Sequence, residues 1–139
     1  MMMKQIITYI CASMMLLSVS CRQNHGHIGH IFGKWQLKEV QSETSKEVYD
    51  SIFYNFQWEY IDLQRIRPEY GVYRTLGYFK HEDDELTLIV RNRTKRDVIA
   101  NYALPDTIVT FKVRELTNKS MVLQLDDETV YRFRKFGIY

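Results

Sequence analysis

The sequence predicts an all-β domain of about eight short antiparallel strands, joined in up-and-down order into a closed barrel. Three observations predict it. First, several stretches alternate apolar and polar side chains, the period of a half-buried strand; in Thr107–Leu116, Val109, Phe111 and Val113 oppose Thr110, Lys112 and Arg114. Second, polar turns such as Glu82–Glu85, Thr117–Lys119 and Asp126–Glu128 separate these stretches at short intervals. Third, no segment past Phe32 keeps a helical period over the length of a stable helix. The composition agrees. The chain has 139 residues, is 45% hydrophobic and 26% charged, and holds six Gly and two Pro. That excludes a collagen-like, Pro/Gly-rich or highly charged disordered chain and leaves room for one domain. A formal net charge of +2 argues against a dedicated nucleic-acid binder.

Residues 1–20 read as an export signal. Lys4 is their only charge, and the apolar run Ile6–Val19 is shorter than the roughly 20 residues of a spanning helix. Ser20 then precedes Cys21, and a small residue before cysteine at the end of such a run resembles a bacterial lipobox. The resemblance implies that Cys21 is lipidated and becomes the mature N-terminus. Simple cleavage near Ser20, releasing a secreted domain, and an uncleaved anchor are the alternatives. Arg22–His25 carries no acidic residue, which favours the periplasmic face of an outer membrane over surface display. Cys11 leaves with the signal, so the folded domain has no disulfide, thiol nucleophile or thiolate ligand.

Residues 21–31 read as the lipidated cysteine and a tether, and residues 32–139 as the barrel. His25, His27 and His30 could chelate a metal at their spacing, but they sit among glycines without an acidic or Cys partner, so the segment reads as a polar linker. The strands follow in order. Gly33–Val40 alternates, with Trp35 and Leu37 on one face. Ser42–Asp50 is polar, a loop or short helix. Ile52–Ile66, rich in rings and Ile, is two strands or one bent strand. Tyr70–Lys80 is a strand whose Gly77 suits a bulge or barrel corner. Leu86, Leu88 and Val90 share a face. Val98–Leu104 is a short helix or irregular segment before Pro105. Met121, Leu123 and Leu125 share a face, and Thr129–Phe136 closes the chain.

The motif Gly33-Lys34-Trp35 opens the first strand and is similar to the G-x-W signature of lipocalins and the wider calycin group. With the aromatic stretch Phe53–Trp58, the hairpin ELTNKSMVLQL and the ending YRFRKF, Phe32–Phe136 resembles small bacterial lipoproteins of lipocalin-like type. The resemblance implies that Trp35 plugs one end of the barrel beneath an Arg of the last strand, Arg132 or Arg134. It also implies a ligand cavity, although the chain is short and lacks an evident T-D-Y-like triplet.

Eight strand aromatics are the candidate ligand-binding residues: Phe53, Phe56, Trp58, Tyr73, Phe79, Phe111, Tyr131 and Phe133. Rings with a few hydroxyls suit an apolar or amphiphilic ligand. The same rings could instead fill a solid core. The basic run Arg91, Arg93, Lys95 and Arg96 and the acidic turns read as solvated loops, and His81 as a surface residue. No G-x-S-x-G, phosphate loop or HExxH occurs, so no catalytic residue, metal or cofactor is assigned. The expected protein is therefore a non-enzymatic lipoprotein, tethered in the cell envelope, that binds a small hydrophobic or amphiphilic molecule. The alternative is a solid barrel acting as an interaction or inhibitor module for an envelope protein.

Overall fold

The computed structural model describes residues 31–91 and 97–137. The export segment, Cys21, His25, His27, His30, Arg93, Lys95 and Arg96 lie outside the described residues. Nine strands follow: β1 Gly33–Gln41, β2 Lys46–Val48, β3 Ile52–Gln57, β4 Tyr60–Arg67, β5 Gly71–Glu82, β6 Glu85–Val90, β7 Ile108–Leu116, β8 Ser120–Gln124 and β9 Val130–Lys135. One helical turn, α1 (Asp97–Ala100), precedes β7.

Pairing is antiparallel throughout. From β3 to β9 each strand pairs with the next, β1 pairs with β3, and β9 pairs back onto β1. The sheet is therefore closed, which removes its edges. β2 and β3 both pair with β1 and form two halves of one strand interrupted at Tyr49–Ser51, so the wall counts eight strands. The backbone N–H of Tyr49 donates to Lys38 O across the interruption. Here the polar stretch after Ser42 departs from expectation, since it carries the short strand β2.

Alternation sets which side chains enter the barrel. Leu86, Leu88 and Val90 of β6, Val109 and Phe111 of β7, Met121 and Leu123 of β8, and Tyr131 and Phe133 of β9 are all buried in one core cluster. The ring-rich stretch divides at a two-residue turn, Trp58–Glu59, into β3 and β4. Ile52, Tyr54 and Phe56 enter the core there, as do Ile61 and Leu63. Gly77 is required by a close approach: a Cβ added there would lie 2.5 Å from Ile89 O. Backbones of β5 and β6 meet at this corner as only glycine permits.

The connectivity gives the barrel two distinct ends. One carries the start of β1, the β3–β4 turn and the end of β9. The other, called the mouth here, carries the β4–β5 turn and the connection from β6 to β7. That connection folds inward: Ile99, Tyr102 and Leu104 are buried within the core cluster.

Candidate functional site

At the closed end Trp35 is fully buried and pairs with Tyr54 of β3 and Lys135 of β9. Its indole Nε1 donates to Ile31 O at 2.8 Å. The cation over its ring is Lys135, with Nζ 4.5 Å from the centroid. This corrects the expectation of Arg132 or Arg134, which share the opposite parity of β9, are exposed and face outward. Tyr131, Phe133 and Lys135 are the inward set. Lys135 Nζ also donates to Phe32 O, so it ties the chain before β1 to the last strand. Burial lowers the Lys135 pKa below that of an ordinary lysine.

The candidate aromatics fall into three places. Phe56, Phe111, Tyr131 and Phe133 face the barrel interior within one packed core cluster, with Phe111 5.1 Å from Tyr131 and Phe133 4.9 Å from Tyr54, ring centre to ring centre. Phe79 packs edge-on against Phe56 near the plug, and Tyr73 stands at the mouth, 38% exposed. Two assignments are corrected. Phe53 points out of the barrel and is covered by Phe136, 5.0 Å away, and by Lys34. Trp58 is 84% exposed on the β3–β4 turn. Neither faces the barrel interior.

Polar side chains at the mouth complete the site. Register places Arg65 opposite Tyr73 and Arg67 opposite Gly71, on the inward parity of Ile61 and Leu63. Arg65 Nη1 donates to Asn101 O at 3.1 Å, and Arg67 Nη2 to Asn101 Oδ1 at 3.0 Å. The Arg67 guanidinium also lies 5.4 Å from the centre of the Tyr73 ring. Tyr54 OH donates to Tyr102 O at 2.6 Å, and Tyr131 OH to Ala103 O. Four donors rooted in the wall thus meet acceptors on three consecutive residues of one loop. Ala103 itself holds φ 60°, a left-handed conformation uncommon for Ala. Arg65 Nε is buried with no hydrogen-bond partner among the described residues, so donor capacity remains. The sequence had not singled out Arg65, Arg67, Asn101 or Tyr102. Among the described residues no cluster of three metal-ligating His, Cys, Asp or Glu side chains occurs.

Burial raises both phenols. Tyr54 stands well above the ordinary tyrosine pKa, and Tyr131 reaches about 12, helped by the nearby Tyr49, Asp126 and Glu47. The unfolded phenol ionises near 10. Stability held by neutral Tyr131 is therefore complete below about pH 10 and is lost as pH rises toward 12. Tyr131→Phe is expected to remove about 2 kcal/mol of that alkaline loss in urea melts between those limits. An unchanged alkaline profile would contradict the burial of this hydroxyl.

The architecture defines a lipocalin-type barrel: eight antiparallel strands, a G-x-W tryptophan at the closed end under a cation from the last strand, and a mouth at the other end. A family model, the lipocalin-like domain, matches residues 14–136. The chain belongs to that family. Its structure is similar to a lipocalin-like protein from Bacteroides uniformis ATCC 8492, with TM-score 0.69 and 28% identity over 77% of this chain and 99% of the other. It is also similar to an uncharacterized protein from Bacteroides eggerthii DSM 20697, with TM-score 0.67 and 31% identity over 76% of this chain and 98% of the other. No curated protein matches. The lipocalin-like barrel points to ligand binding in general.

Proposed function

We propose that this protein is a lipid-anchored carrier of the cell envelope, holding a small anionic amphiphile in the barrel with its headgroup in place of the Ile99–Leu104 segment. It acts as a carrier or buffer and not as a catalyst. Cys21 supplies the anchor, and the domain faces the periplasm from the outer membrane. The observation that carries the reading is the mouth. Tyr54, Tyr131, Arg65 and Arg67 aim their donors at the loop carbonyls of Asn101–Ala103 and the Asn101 side chain. A carboxylate or phosphate supplies the same acceptors. Displacing the loop would therefore leave four donors for an acidic headgroup, and withdrawing Ile99, Tyr102 and Leu104 would open space beside Phe111, Phe133 and the aliphatic core. Charge-assisted bonds of this kind are worth about 1.5–3 kcal/mol each.

A second reading rests on a specific observation too. Ile99, Tyr102 and Leu104 are buried and fill the mouth, as in a solid barrel that works through its surface on an envelope protein. Competition separates the two. Against a fluorescent fatty acid, a long-chain carboxylate is expected to compete at least about 10-fold better than the alcohol of equal length, the factor one charge-assisted bond supplies. No displacement by either would favour the solid module.

A further inference from the structure

Trp58 is the first of two residues joining β3 to β4, and it takes φ 54°. Two-residue hairpin turns that put positive φ at this place prefer glycine or asparagine. Here the position carries the largest side chain, and it is 84% exposed. Stability accounts for neither fact. Behind Trp58 the outer wall continues the pattern. The register runs Tyr60, Tyr78, Ile89 and Ile108 across four adjacent strands on the outward parity. Tyr60, Ile89 and Ile108 are exposed, and Leu76 beside this row is 59% exposed. The Tyr60 and Tyr78 rings lie 5.4 Å apart, with the Arg91 guanidinium 5.2 Å from the centre of the Tyr78 ring. Contiguous exposed apolar surface on a small domain marks an interaction site. Trp and Tyr with flanking cations and aliphatics make the side-chain mixture of a membrane–water interface.

Position in the chain identifies the occupant. Phe32 and Trp58 together line two adjoining surface clefts at the closed end. Ile31, the first described residue, lines one of these clefts beside Trp58. Only Arg22–His30 separate Ile31 from Cys21, a reach of about 30 Å when fully extended. We infer that the Trp58 turn and the Tyr60–Tyr78 wall dock into the lipid interface, laying the barrel against the membrane that holds its anchor. This inference rests on the lipid-anchored reading proposed above. The acidic β5–β6 turn, Asp83–Asp84, belongs to the same end, and an anionic surface would keep it clear, so the contact is made by the Trp58 turn and the wall beside it and not by the β5–β6 turn.

The chain has two tryptophans, and Trp35 is buried, which makes Trp58 a reporter. The full-length chain, processed in a bacterial host, would be reconstituted into phosphatidylethanolamine–phosphatidylglycerol vesicles with and without brominated acyl chains. W58G suits the turn and should fold with an unchanged or higher melting temperature. Docking predicts a blue-shifted, bromine-quenched emission component that W58G loses. A chain that co-sediments with vesicles and has the lipidated mass at Cys21, but leaves Trp58 solvent-exposed and unquenched, would overturn docking while keeping the anchor. A soluble chain with unmodified Cys21 would overturn the anchor and the docking with it. Blue-shifted emission in detergent that tracks protein concentration and ignores brominated lipid would assign the wall to a second copy instead.

Discussion

Trp35→Ala is expected to destabilise the barrel by about 3–5 kcal/mol, the range for truncating a large, fully buried aromatic. Three losses combine. The indole occupies the closed end with no solvent exposure, so its removal leaves a cavity. Ile31 O loses its donor. The Lys135 ammonium, partly desolvated by burial, loses the ring face that compensates it, a contact worth about 0.5–2 kcal/mol. Trp35→Phe separates these terms. It keeps most of the apolar volume and loses the hydrogen bond, so its cost should be smaller. In urea melts, a loss below about 1 kcal/mol for Trp35→Ala would show that the plug does not hold the barrel.

The second large effect concerns binding. Replacing Arg65 and Arg67 together by Gln is expected to weaken an anionic amphiphile by about 100-fold, roughly 3 kcal/mol, if each guanidinium supplies one charge-assisted bond. The same change should leave a neutral alcohol nearly unaffected. Stability should fall modestly, since both side chains also tie Asn101 of the mouth loop to β4. The contrast between acid and alcohol is the informative readout. Equal losses for both would mean that the pair only braces the loop and does not meet a headgroup.

Much of the barrel was legible in the alternation. β6, β7, β8 and β9 carry period-two patterns, and their inward sets match those patterns. Gly77 and Trp35 were legible because each answers a geometric demand, a backbone approach and a barrel end. The ring-rich stretch was not legible. Phe53 and Tyr54 are both fully or nearly buried on opposite faces, so burial ceases to alternate. A second cover, Phe136 with Lys34, hides Phe53 outside the barrel, and nothing local signals it. The cation over Trp35 could have been read better. Once Tyr131 and Phe133 are taken as inward, parity selects Lys135 and excludes Arg132 and Arg134. The mouth was hidden for a different reason. Arg65 and Arg67 look like solvated charges at a strand end, and their acceptors lie 34 to 36 residues away in a loop without period. Only the closure of the sheet brings them together.

One measurement tests the central claim, that the barrel holds an amphiphile at its mouth, most directly. The segment Arg22–Tyr139, without its lipid, would be incubated with a total lipid extract and its native mass spectrum recorded, beside that of the Arg65→Gln, Arg67→Gln double variant. The account predicts a discrete added mass matching an acidic amphiphile on the native domain, greatly reduced on the variant. A bare protein mass for the native domain at every lipid concentration would contradict it and make the barrel a solid module.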